Sequence, residues 1–208
     1  AAKRGALAEA KQAWAAYLKG RGSPRWTYSR DDGRALGTAL ERVGAKTRLL
    51  GAADEALALK FDLNGTRVSL RSLDWTDPRD LEGRPLAGPS RQVLNHLHQW
   101  VLLGRAGLIT GDPKYTRVVA EQVEGWAAAN RVVEKDWLFA RDRPENPLKQ
   151  YQSAPGFHHY RSLCVGIRTA NLAETLELLL AGDEVDADAV FALSRLLAVH
   201  CRYLTTLG

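Results

Sequence analysis

Apolar residues return at helical spacing through most of this chain. Leu7, Ala10, Trp14, Tyr17 and Leu18 predict an amphipathic helix ending near Gly20. Further helices are expected over residues 32–43 and 47–60. Two longer pairs follow, 91–109 with 114–130 and 160–180 with 186–204. Between the members of the first pair, Gly111 suits the position just past a helix end, Asp112 a cap, and Pro113 the first helical turn, where no amide donor is needed. Gly182, with Asp183 or Asp186, repeats that logic in the second pair.

One stretch has a different period. Phe61 to Leu70 alternates around Asn64-Gly65, which predicts a two-residue type I′ hairpin, the single strand signal in the chain. Residues 72–90 carry Pro78, Gly83, Pro85, Gly88 and Pro89, too many breakers for regular structure. Residues 131–157 hold Pro144, Pro147 and Pro155 and form a second long loop. Successive helical hairpins with long loops on one rim predict an all-α fold, a curved or toroidal α/α array. No repeat of fixed period is visible, which argues against a solenoid of identical units.

At 208 residues, one compact unit able to bury a sizeable core is expected. The two cysteines, Cys164 and Cys201, fall in apolar helical stretches and read as small hydrophobes; a bridge between them is open, but two cysteines are no framework. No run approaches the ~18 apolar residues of a membrane span. The stretch opens on Ala1 and holds no methionine, so it is expected to be a processed product or a piece of a longer chain.

The net charge of +5 is modest, but its distribution is uneven. Lys3, Arg4, Lys11, Lys19, Arg21, Arg25, Arg30, Arg34, Arg42, Lys46 and Arg48 make the first fifty residues basic, while Glu174, Glu177, Asp183, Glu184, Asp186 and Asp188 make the end acidic. A basic half suits a polyanion, nucleic acid or acidic polysaccharide, or is a plain solvated surface. There is no phosphate-cradling loop, dinucleotide fingerprint, nucleophile elbow or zinc ribbon.

The order of short motifs narrows the choice. Tyr17-Leu18-Lys19-Gly20-Arg21 leads to Pro24-Arg25-Trp26, and Ala53-Asp54-Glu55-Ala56 precedes Phe61 and Asn64-Gly65. Asp74-Trp75 and Asp77-Pro78 lead into Leu94-Asn95-His96, and Tyr160-Arg161-Ser162-Leu163 runs on to Gly166-Ile167-Arg168. In this order the chain resembles the N-terminal helical domain of the heparinase II/III-type polysaccharide lyases. It departs where Tyr160 stands in place of a more usual tryptophan and His96 in place of an arginine.

The resemblance implies an incomplete (α/α) toroid with one small β-hairpin near 61–70. Residues 1–208 would form a single domain lacking the last toroid helices and a C-terminal β-sandwich domain. It implies a periplasmic or secreted enzyme that cleaves uronate-containing polysaccharides by β-elimination. The substrate is then an acidic polysaccharide, with no nucleic-acid or membrane partner, and the domain's other partner is its own β-domain. A proton beside a carboxylate anion is weakly acidic until donors aimed at the developing enolate offset that charge; a tyrosine or histidine then exchanges it. The family's proton-moving groups are expected after Gly208, so no catalytic residue is assigned here. No cofactor is expected within these residues, a structural metal belonging to the β-domain.

The expected substrate-binding residues are Arg168, Arg161, Tyr160, His159, His158, Gln152, Asn95, His96 and Trp75. By the resemblance, Arg168 faces the cleft to meet a carboxylate or sulfate; the alternative is a structural ion pair with Glu174 or another carboxylate. Trp75 and Trp26 are sugar platforms or pins that hold loops to the core. His96 and His98, two apart on one helix, should diverge. Trp100, Trp126 and His200 read as core. Two other functions remain open: a non-catalytic helical binding or scaffold module for an acidic partner, and an α/α-barrel glycoside hydrolase. The latter needs two carboxylates at hydrolytic separation, and Asp74, Asp77 and Asp80 are the clustered loop acids.

Overall fold

A computed structural model describes residues 2–21, 28–129, 162–182 and 184–206. It is mostly helical, with one small antiparallel sheet. The helices are α1 (Ala2–Gly20), α2 (Arg30–Arg42), α3 (Lys46–Leu57), α4 (Gly88–Leu94), α5 (His98–Thr110), α6 (Pro113–Ala129), α7 (Ser162–Ala181) and α8 (Ala187–Thr206). The strands are β1 (Lys60–Leu63), β2 (Thr66–Ser72) and β3 (Arg79–Asp80), in the order β1-β2-β3.

Local chemistry explains most boundaries. Ser29 and Asp32 form a capping box at the start of α2, the Ser29 N–H donating to Asp32 Oδ2 at 2.6 Å. Gly111 closes α5 at φ 70°, a left-handed turn that costs glycine little, and Asp112 Oδ1 accepts the Lys114 N–H at 2.9 Å to open α6. Asp186 Oδ1 receives the Ala189 N–H at 2.9 Å at the head of α8. Asn64 and Gly65, at φ 61° and 79°, make the type I′ turn of the hairpin, with Phe61 and Leu63 buried on one face of β1.

Three boundaries differ from the expectation. The helix expected over 47–60 ends at Leu57, and Lys60 already opens β1. The breaker-rich segment is not wholly irregular: β3 pairs with β2 through Leu70 opposite Asp80, across a bulge, and α4 begins at Gly88 because Pro89 is tolerated in a first turn. The helix expected over 91–109 is in fact two, α4 and α5, separated at Asn95-His96-Leu97.

Two antiparallel hairpins lie side by side, α5/α6 against α7/α8, with α5 on α7 and α6 on α8. α2 and α3 cover the other side of α5, and α1 lies against α8. The core between them holds Leu94, Leu97, Trp100, Leu103, Val119, Val123, Trp126, Leu172 and Leu193. α2 approaches α5 closely at Gly33, where an added Cβ would stand 2.5 Å from the Leu108 carbonyl oxygen. Cys164 is buried, as a small hydrophobe should be, whereas Cys201 is exposed; both are free thiols, so the chain carries no bridge between them.

Candidate functional site

The break between α4 and α5 is braced by side chains from α5 and α7. Leu97 takes φ 66°, a left-handed conformation that costs a branched-chain residue ~1–2 kcal/mol. Its side chain is fully buried, and that burial holds the turn in place. Ending a helix inside the protein releases backbone carbonyls that need donors. Three side chains supply them. Gln99 Nε2 donates to the Leu94 carbonyl at 3.3 Å, Arg168 Nε to the Asn95 carbonyl at 2.7 Å, and Asn171 Nδ2 to the His96 carbonyl at 2.7 Å.

Asn95 is itself anchored. Its Nδ2 donates to the Arg91 carbonyl at 3.0 Å and its Oδ1 accepts from Trp126 Nε1 at 2.9 Å, so it is buried as a satisfied polar group. Arg168 is fully buried, with its guanidinium 5.1 Å from the Trp126 ring centroid and Nη1 3.3 Å from His200 Nε2. His200 Nδ1 lies 2.7 Å from the Leu196 carbonyl, which can only accept, so the proton sits on Nδ1 and Nε2 receives the Arg168 N–H. Burial, and then the neighbouring guanidinium, pushes the His200 pKa down to about 3 and keeps the ring neutral. Arg168 thus braces the helix break. Glu174, one candidate for its ion-pair partner, is instead held by Arg105 Nε at 2.8 Å and Tyr28 Oη at 3.0 Å.

His96 and His98 do not diverge. Their ring centroids lie 5.8 Å apart, edge to face, because the left-handed Leu97 turns the backbone between them. Burial lowers the His96 pKa, and the neighbouring His98 ring and Arg168 guanidinium lower it further; His96 Nε2 is buried without a hydrogen-bond partner among the described residues. Asn171 Nδ2 also reaches His98 Nδ1 at 3.1 Å. Asn95, His96 and Arg168 therefore come together, and they are joined by His98 and Asn171, which sequence reasoning did not select.

Trp75 stands apart from this group. It is 6 % exposed, with its ring edge-to-face on Trp100 at 6.0 Å and its Nε1 3.4 Å from where a Cβ on Gly125 would lie. As placed it pins residues 73–77 to the core between α5 and α6. Gln152, His158, His159, Tyr160, Arg161 and Trp26 lie outside the described residues. The loop carboxylates are each engaged locally: Asp74 Oδ1 accepts from the Thr76 hydroxyl and from two backbone N–H groups, Asp77 pairs with Arg79, and Asp80 with Arg84. The Thr76 hydroxyl, and then those N–H groups, hold the Asp74 pKa below its ordinary value. None of the three is poised as one of a hydrolytic pair.

Two of the clefts among the described residues lie elsewhere. One of about 410 Å³ sits beside the α5–α6 turn, lined by Arg34, Thr110, Asp112 and Glu184 among others. Another, of about 730 Å³, runs between α1, α6 and α8 past Lys11, Glu124, Phe191 and Arg195. At its edge Glu124, Asp186 and Asp188 bring exposed carboxylate oxygens within 4.8 Å of one another, with Lys11 already paired to Asp188. Neither cleft is lined by the residues of the break.

No helix among the described residues is long and apolar enough to cross a membrane. Neither curated proteins nor solved structures give a match. The family model described as heparinase II/III N-terminus matches residues 1–207. Together with the helical fold and its small hairpin, this match shows that the chain belongs to the heparinase II/III N-terminal family.

Proposed function

We propose that these residues form the substrate-binding helical domain of a periplasmic or secreted polysaccharide lyase that cleaves uronate-containing acidic polysaccharides by β-elimination. The observation that carries the reading is family membership over residues 1–207. It is supported by a braced helix break that gathers the side chains of Asn95, His96, His98, Arg168 and Asn171. In this reading Arg168 and Asn95 act as positioning residues, since both are buried and committed to protein partners. His96 and His98 are the side chains that meet the glycan.

The chemistry asks for donors aimed at the uronate carboxylate as charge builds on the enolate, and a neutral imidazole supplies one without competing for the proton in transit. The proton-moving groups themselves are assigned to sequence outside these residues. The full chain, incubated with heparan sulfate or alginate, is expected to generate the ultraviolet absorbance of unsaturated uronate products. Residues 1–208 alone are expected to give little or none. A full chain that neither binds nor cleaves any uronate polymer overturns the reading and favours a scaffold module instead.

A further inference from the structure

Asn171, on α7 three residues beyond Arg168, places one side-chain nitrogen between two acceptors of the break. Nδ2 lies 2.7 Å from the His96 carbonyl oxygen and 3.1 Å from His98 Nδ1. A carbonyl oxygen can only accept, so the amide must present its NH2 there, and its orientation is fixed without reference to the imidazole. The NH2 has two protons: one goes to His96, and the second meets His98. Two N–H groups cannot bond to each other, so His98 Nδ1 must be the bare nitrogen of a neutral ring, and the proton must sit on Nε2. His98 is an exposed residue, and no other described residue hydrogen-bonds to it.

We infer that Asn171 is a positioning residue that locks His98 into the Nε2–H tautomer and so makes His98 a hydrogen-bond donor to a carboxylate or hydroxyl oxygen of an acidic glycan. The assignment of the ligand rests on the polysaccharide reading above; the tautomer lock does not. An unlocked imidazole shares its proton between two nitrogens and loses part of any donor interaction to that equilibrium. The backbone break and the edge-to-face His96 ring fix where the donor stands, and Asn171 fixes which nitrogen donates.

The test uses the full chain with ¹⁵N-labelled histidine at a pH where the imidazoles are neutral. His98 is expected to give the shift pattern of the Nε2–H tautomer. The near-isosteric Asn171→Asp, which can accept at Nδ1 but not donate, is expected to shift it toward Nδ1–H. Titration with heparan sulfate or alginate oligosaccharides is expected to move the His98 signals, and His98→Ala and Asn171→Asp to weaken binding by about tenfold, the size of one hydrogen bond to a charged acceptor. An Nδ1–H tautomer in the unmodified chain overturns the inference. So does oligosaccharide binding that leaves His98 unmoved and is undiminished in His98→Ala. If the Nε2–H tautomer is found but neither oligosaccharide binds, the polysaccharide reading falls with the ligand assignment, while the lock itself is upheld.

Discussion

Trp126 Nε1 donates to Asn95 Oδ1 at 2.9 Å, tying the last turn of α6 to the residue that caps the end of α4. Both side chains are buried, so neither can exchange the other for water. Trp126→Phe keeps most of the ring volume but leaves the Asn95 oxygen without its donor. The expected cost is about 1–3 kcal/mol, read as a lower urea midpoint at unchanged m-value. An unaltered midpoint would mean that the break is held without this bond.

Arg168 links four parts of the chain through one guanidinium: its own helix, the Asn95 carbonyl, the Trp126 face and the His200 ring. Lysine cannot reproduce a planar fork that donates in two directions while lying over an indole. Arg168→Lys and Arg168→Ala are both expected to destabilise the domain, the latter by about 2–4 kcal/mol. Equilibrium unfolding measures it. If lysine restored full stability, point charge rather than geometry would be the role of this residue.

His200 predicts a pH dependence. Its pKa is about 3 in the folded chain against an ordinary value of 6.5, so between those limits the unfolded state binds the extra proton. Stability contributed by the neutral ring is therefore full above about pH 6.5 and is lost as the pH falls toward 3, at up to about 1.4 kcal/mol per pH unit. In His200→Gln the stability–pH curve should be flatter over that window. Parallel curves for the two proteins would show that other groups set the slope.

Two glycine-to-alanine changes are expected to have opposite outcomes. At Gly33 a Cβ would stand 2.5 Å from the Leu108 carbonyl oxygen and 2.6 Å from Leu108 Cγ, so Gly33→Ala forces α2 and α5 apart at ~1–3 kcal/mol. At Gly51, exposed within α3, nothing lies within 4 Å, and Gly51→Ala should stabilise by ~0.5–1 kcal/mol. Thermal unfolding of the two variants separates crowding from helix propensity.

The elements that were legible were those whose signals are local. The Asn64-Gly65 turn, the Gly111-Asp112-Pro113 junction and the Asp186 cap each follow from the conformations and hydrogen bonds of three or four consecutive residues. The break at Asn95-His96-Leu97 was not legible. A Leu-Asn-His-Leu-His run in an apolar-periodic stretch continues a helix by every local rule, and the left-handed Leu97 exists because its side chain is wholly buried in the core. Asn171 was invisible for the same reason: it lies 75 residues from the carbonyl it satisfies.

From sequence alone came the family, the helical hairpins and the β-turn, because motif order, apolar period and caps are written in neighbouring residues. Tertiary structure alone decided that one expected helix is two, that His96 and His98 face each other, and that Arg168 is buried against Asn95, Trp126 and His200. The physical reason is that a carbonyl released inside a core must find a donor wherever packing brings one. Here that donor came from 73 residues away.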